Sequence, residues 1–562
     1  MKERRPTRRL VPTTLNAVTS PAGEVDPDEV RPATKEESFP IALISVILAF
    51  VALALCFTRG YLLLYGDAVA HLGIARRIFD SRNPGLAQLG GVWLPLPHLL
   101  ILPFVQKMEW WQNGLAGAWP SLLCFIASVV GLYRLARRMM TPRWAFAATA
   151  FYALNPNLLY LSTTAMTEPL FLAELIWLTL FTMECATAIQ QARHQLVSRR
   201  LIYIALLIVA AVFTRYDGWI LGAAAWCIVT WCLAQNRAVW RKVAPSFIIL
   251  TLLSIAAPLS WLAYNQHFYH DPLDFMRGPY SASAIEKKTS PPGSRHYRGW
   301  HNPGWALLFF TRTAQVDASV WETGFAVMIA ALAGLALAIR RRLALPSLLL
   351  WLPLPFYVYA IAYSSVPIFI PQLWPHSYYN ARYGMELLPA LAISAFLAVE
   401  WLQIQWARTQ PFKARFVHPL ALALIVINTF AMMYFIPLVL KEGMINATTR
   451  MSLESSIARI LQSLPPGVPI LMYNSDHIGA IQAAGIPLRQ TVNEGDYDSW
   501  MAALASPSDH AAYVIAIKGD PVSKAVDANS QGLTELTILC TSGQPCARIY
   551  RSDRFDSSPK KP

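Results

Sequence analysis

The sequence predicts an α-helical polytopic membrane protein with about eleven transmembrane helices, followed by a small C-terminal α/β domain. Three observations carry this expectation. Apolar runs near 20 residues long recur through residues 40–440, the length that crosses a hydrocarbon core of about 30 Å. Only 14% of the residues are charged, against about 25% in soluble domains. Lys and Arg gather in alternate connecting segments, the pattern expected when the cytoplasmic loops hold the positive charge.

Residues 1–39 are polar and Pro-rich, with Lys2, Arg4, Arg5, Arg8 and Arg9 near the start. No apolar run begins before about residue 40, so this stretch reads as a disordered cytoplasmic tail ahead of a retained helix. Spans are expected at about 40–58, 114–133, 144–162, 168–189, 201–214, 217–234, 246–264, 322–339, 345–364, 387–406 and 418–438. The 201–214 run is short and is assigned from its flanking charges. The run Trp93–Val105 holds Pro95, Pro97 and Pro103 and reads as an interfacial or re-entrant piece. With the tail inside, the inner segments carry 23 Lys and Arg and the outer loops 13 over far more residues. An odd number of spans then places the C-terminal end outside. A net charge of +14 spread over short loops does not indicate a nucleic-acid partner.

Residues 441–562 have the composition of a soluble domain. Helices are expected at about 452–464 and 497–504 and strands at about 469–473 and 512–517, which makes a small extracytoplasmic α/β domain. Cys540 and Cys546 bracket a turn sequence; a disulfide and two free thiols are both open. The remaining five cysteines lie in apolar spans and read as packing residues.

The chemistry is expected where acids stand at span ends, because a carboxylate beside a bilayer is costly. Asp67 is the first acid after span one. Glu168 and Asp217 stand at the mouths of two later spans, and Arg215 and Arg382 lie on the same side. A sugar on a lipid phosphate already has a good leaving group. Its transfer needs one carboxylate to take the acceptor's proton and planar guanidinium groups to hold the departing phosphate. Each residue also has a structural reading. Asp67 suits the N-cap of an amphipathic helix over 68–80, and Glu168-Pro169 suits a helix start. Asp217-Gly218 suits a turn. His71, one turn after Asp67, either orients it, binds substrate, or packs. Arg382, among Tyr378, Tyr379 and Tyr383, suits an interface anchor.

Taken together, Gly66-Asp67-Ala68-Val69-Ala70-His71, Thr167-Glu168-Pro169-Leu170-Phe171, Thr214-Arg215-Tyr216-Asp217-Gly218 and Arg382-Tyr383 with Leu387-Leu388-Pro389 resemble the GT-C fold glycosyltransferases that use polyprenyl-phosphate sugars. That class includes protein O-mannosyltransferases and the lipid A aminoarabinose transferase. The resemblance implies Asp67 and Glu168 as catalytic acids and His71, Arg215, Asp217, Arg382 and Tyr383 as substrate-binding residues. It implies a polyprenyl-phosphate sugar donor and a lipid, glycan or protein acceptor. Ala68 stands where protein-modifying members carry a second acid. Some branches bind a divalent metal through acids of the first two outer loops. Asp67 and Glu168 alone are a thin ligand set, and no metal is expected. The segment His270–Phe275 resembles a Pro-Leu-x-Phe piece of related enzymes. The outer loop of about 265–321, with Lys287, Lys288, Arg295, His296 and Arg298, reads either as a mobile cover or as a solvated linker. The expected setting is a bacterial inner membrane, with the N-terminus cytoplasmic. The alternatives are a lipid or glycan transporter, which places polar groups near the midplane and often shows repeated halves, and a non-catalytic scaffold that tolerates loss of the acids.

Overall fold

The computed structural model describes residues 30–289, 293, 296–340 and 345–555. Residues 1–29 of the expected tail, Arg295, Arg341 and Arg342 lie outside the described residues.

Ten described helices are long and apolar enough to cross a membrane. The first, Lys35–Thr58, starts earlier than expected because Thr34 and Glu37 form a capping box, which satisfies two otherwise orphaned amides. The short 201–214 run grows into His194–Thr214, and 246–264 into Arg237–Tyr269. Helix Glu168–Gln190 packs against Leu115–Ala136, His194–Thr214 and Asp217–Ala234. A helix covered on so many sides is apolar all round, and its first residue, Glu168, is thereby delivered to the end of the bundle with no exposure. Helices Thr323–Arg340 and Leu388–Ala407 touch backbone to backbone. A Cβ at Gly334 would stand 1.7 Å from the Ser394 carbonyl oxygen, so only glycine permits the contact.

The expected 144–162 span is broken into Pro142–Ala153 and Pro156–Leu161. The Asn155 side chain accepts from the Asn157 and Leu158 amides, and Pro156 opens the second piece. A strong cap followed by proline ends one helix and starts another. The pair still passes from one end of the bundle to the other. Thr141, at its start, donates to Glu400, and Tyr160, at its close, donates to the Tyr61 carbonyl. Trp93–Val105 yields the helix Pro95–Val105, 11 residues long, too short for a full crossing.

The 265–321 segment is not one loop. It holds Asp274–Arg277, Ala282–Thr289 and the 16-residue helix Pro303–Ala318. The last supports the turn that carries Arg382. Arg312 and Asp317 interrupt its apolar run, which hid the helix in the sequence. Phe275 stacks on Tyr216 at 4.9 Å, which ties the start of this segment to the bundle.

Helix Leu438–Ser463 runs without interruption through residue 440. Beyond it lies a five-stranded sheet of β1 (Ile470–Met472), β2 (Thr491–Val492), β3 (Tyr513–Ile517), β4 (Leu533–Leu539) and β5 (Ala547–Ser552), in the order β2-β1-β3-β5-β4. β1 is parallel to β2 and β3, and β5 is antiparallel to β3 and β4. Cys540 and Cys546 are joined in a disulfide between β4 and β5. The domain sits on helix Gly66–Arg77. Ile478 fills the space where Gly73 lacks a Cβ, and the Leu488 amide donates to Asp80.

Candidate active site

Helix Gly66–Arg77 places Asp67 in its first turn. Asp67 is not the N-cap: Tyr65 holds that position and no side chain caps it. The Asp67 carboxylate is drawn instead to Arg382, whose Nη2 donates to its Oδ2 at 2.5 Å. A charge-assisted bond of this kind outcompetes a neutral backbone amide.

Arg382 is presented by a 3₁₀ turn, Ala381–Leu387, that opens helix Leu388–Ala407. Its Nε donates to Glu168 Oε1 at 3.0 Å, and its Nη1 lies 3.7 Å from Glu442 Oε1. Arg215 stands beside it at the close of His194–Thr214. Its guanidinium donates to Asp217 Oδ2 (3.2 Å), Thr167 Oγ1 (2.8 Å), Glu168 Oε1 (3.4 Å) and the Tyr357 hydroxyl (2.6 Å), and it is 3.0 Å from Glu386 Oε1. Glu168 therefore bridges the two cations. The Tyr383 ring lies between them, 4.8 Å from the Arg382 guanidinium carbon and 5.2 Å from that of Arg215. The negative face of an aromatic ring is attractive to a cation.

Five carboxylates thus surround two guanidinium groups. The acids in excess are held by neutral donors: Tyr357 donates to Glu386 at 2.7 Å, and the Asn380 and Ala381 amides donate to Glu442 at 2.9 and 2.8 Å. Glu168 and Glu386 side chains have no exposure, whereas that of Asp67 is 42% exposed. Asp67 is the acid of this cluster that solvent reaches.

The Gly218 amide donates to the Arg215 carbonyl at 3.0 Å, which closes a turn, and Asp217 and Gly218 then open helix Asp217–Ala234. A Cβ at Gly218 would stand 2.1 Å from the Ala211 carbonyl oxygen. Arg382 is buried among carboxylates rather than anchored at an interface. His71 makes no hydrogen bond to Asp67. Its Nδ1 meets His98 Nε2 at 2.8 Å, and its ring stacks on Trp93 at 4.4 Å. Burial, helped by the nearby charges of Arg382 and Arg215, pushes His71 down to about 3, and burial lowers His98 as well. The two rings are a neutral pair, which accords with the packing alternative.

The sequence reading missed Glu386, Glu442 and Tyr357. Glu386 lies four residues after Arg382, at the mouth of a span, the same signal that marked Glu168. Glu442 is the first acid after the last apolar span. Tyr357 sits inside an apolar run, where nothing distinguishes it from a packing residue.

Asp67 and Glu168 converge on Arg382 rather than on a common point, and no group of three His, Cys, Asp or Glu suited to a metal ion occurs among the described residues. These acids do not fit a divalent ion.

Residues 104–261 match the family described as dolichyl-phosphate-mannose-protein mannosyltransferase. The structure is similar to the crystal structure of ArnT from Cupriavidus metallidurans bound to undecaprenyl phosphate. The TM-score is 0.55 at 13% identity, over 92% of this chain and 98% of that one. The apo ArnT structure gives 0.53 at 14% identity, over 91% and 97%. The chain has the GT-C fold. No curated protein matches it in sequence. The family match, over spans that carry Glu168, Arg215 and Asp217, makes the protein a glycosyltransferase, and its ten long apolar helices make it an integral membrane protein.

Proposed function

We propose that this glycosyltransferase moves a sugar from a polyprenyl-phosphate carrier to a hydroxyl acceptor by a single inverting displacement, with Asp67 as the base. The observation that carries the reading is the unequal exposure around Arg382. Its buried partners, Glu168 and Glu442, are fixed, while Asp67 is reachable and exchangeable.

The donor phosphate takes the place of Asp67 on Arg382. One anion replaces another, so the charge around the guanidinium is conserved. Asp67 is released toward the acceptor, and its oxygens are free to take a proton. It removes the proton from the acceptor hydroxyl as that oxygen bonds to C1 of the sugar. The bond from C1 to the phosphate oxygen breaks, and polyprenyl phosphate departs with the electron pair. Arg382 holds the negative charge that develops there, and Arg215 adds to the positive field behind it. Glu168, dry and shared by both arginines, is a positioning residue for them. The ArnT relative was crystallised with undecaprenyl phosphate, which supports a polyprenyl-phosphate donor for this chain. The acceptor is a lipid, a glycan or a protein on the side of the membrane that holds the sheet domain. We place that side outside the cytoplasm of a bacterial inner membrane, on the distribution of Lys and Arg.

The test is transfer of a labelled sugar from a polyprenyl-phosphate donor in membranes that contain the wild-type protein or Asp67→Asn. Mass analysis of envelope lipids and glycans with and without the protein identifies the acceptor. Transfer at the wild-type rate by Asp67→Asn refutes the assignment of the base.

A further inference from the structure

Glu442 belongs to the helix that leads out of the membrane bundle into the sheet domain, not to any loop that the sequence marked for chemistry. It is 1% exposed. Both of its oxygens face the turn that presents Arg382: Oε1 accepts from the Asn380 amide and Oε2 from the Ala381 amide. Asn380 has φ +55°, a left-handed conformation that asparagine tolerates better than most residues. A left-handed residue followed by a helical one points successive amides into the same space. Such a nest attracts anions. Asn380 is held there by a second bond, from its Nδ2 to the Pro367 carbonyl at 3.0 Å.

An open nest beside Arg382 would compete for the substrate's phosphate and draw it to the wrong side of the guanidinium. Glu442 occupies that nest from within the protein. Glu168 occupies a second side, at Nε. The side left for an incoming anion is the one that Asp67 holds.

We propose that Glu442 is a positioning residue for donor recognition: it fills the anion nest at Asn380–Ala381, fixes the turn, and so restricts phosphate to the Asp67 side of Arg382. The helix Leu438–Ser463 is then part of the site, and the sheet domain beyond it is anchored to the same turn. The inference rests on the phosphate-binding role of Arg382 proposed above.

The experiment compares binding of a short-chain polyprenyl monophosphate to the full-length protein in detergent, for wild type, Arg382→Ala, Glu442→Gln and the double variant. The glutamine keeps the shape but turns an amide nitrogen toward one of the two N–H groups. We expect Glu442→Gln to weaken binding by about 10-fold, and the double variant to bind no more weakly than Arg382→Ala alone, because the two residues act as one unit. Wild-type affinity in Glu442→Gln with weakened binding in Arg382→Ala overturns the role of Glu442 and leaves the proposed function standing. So does a lower melting temperature in Glu442→Gln without a change in affinity, which marks a merely structural residue. Additive losses in the double variant overturn the coupling. Wild-type affinity in Arg382→Ala overturns the phosphate site itself, and Glu442's role with it.

Discussion

Among the described residues, an ion cluster at one end of the bundle and one at the other are built differently. At the end away from the sheet domain, Glu184 sits between two cations: its Oε1 meets Arg138 at 2.6 Å and its Oε2 meets Arg200 at 2.5 Å. Arg200 also lies over the Phe181 ring at 4.8 Å. Here one acid serves two bases, and none of the three side chains is more than 18% exposed. At the other end the proportion is reversed, with acids in excess and Asp67 half open to the outside. A closed cluster with every partner fixed is a fastener between helices. A cluster with surplus acid and one exchangeable member can trade that member for a substrate anion. Charges at span ends are the same signal in both cases; only the exposure of a partner separates a fastener from a site.

The sharpest way to break this comparison is Asp67→Asn. Removal of a general base typically lowers rates by about 10²–10⁴-fold, and we expect a loss of that size in sugar transfer with the melting temperature unchanged, because Asp67 is half exposed. Arg382→Lys comes next. Lysine keeps the charge but not the planar fork, and transfer should fall by about 10²-fold, with affinity for polyprenyl monophosphate reduced in a binding assay. Glu168→Gln removes the one carboxylate that both guanidinium groups share. Breaking a buried pair costs about 3–5 kcal/mol, so thermal unfolding in detergent should come at clearly lower temperature, along with lost activity. Glu184→Gln tests the opposite end: the same kind of stability loss is expected, but transfer per folded molecule should stay within about twofold of wild type. If Glu184→Gln abolished transfer in a folded protein, the distinction between the two clusters would fail.

The smallest effect concerns pH. His71 is held down to about 3 in the folded protein, while a free histidine titrates near 6.5. Below the unfolded value the unfolded chain gains a proton that the folded one refuses, so stability falls as the pH is lowered from about 6.5 toward 3. Between pH 6.5 and 5 this amounts to about 2 kcal/mol. Melting curves of His71→Asn should show a shallower acid dependence than wild type.

The helices were legible because apolar length is a strong and local signal. The break at Asn155-Pro156 was less so, since the apolar run continues through it and only the capping chemistry reveals it. Helix Pro303–Ala318 was hidden because Arg312 and Asp317 interrupt its hydropathy; in the fold Arg312 pairs with nearby Gln315 and Glu322, and Asp317 is buried. Among the site residues, Asp67, Glu168, Arg215, Asp217 and Arg382 announce themselves as charges at span ends. Their pairing does not, because the contact between Asp67 and Arg382 spans 315 positions. Tyr357 carries no local mark, and Glu442, although the first acid after the last apolar span, meets the turn of Arg382 across 61 positions. His71 shows the reverse: helical spacing places it beside Asp67, but its hydrogen-bond partner, His98, comes from another helix.

The Tyr383 ring, within reach of both guanidinium groups, bears on how the pocket endures an empty interval between turnovers. The surrounding carboxylates already outnumber the two cations, so the ring adds no charge balance. It adds a flat polarizable face on which both side chains rest. An aliphatic residue of equal bulk would fill the gap without that face and leave both side chains freer to change rotamer while the slot is vacant.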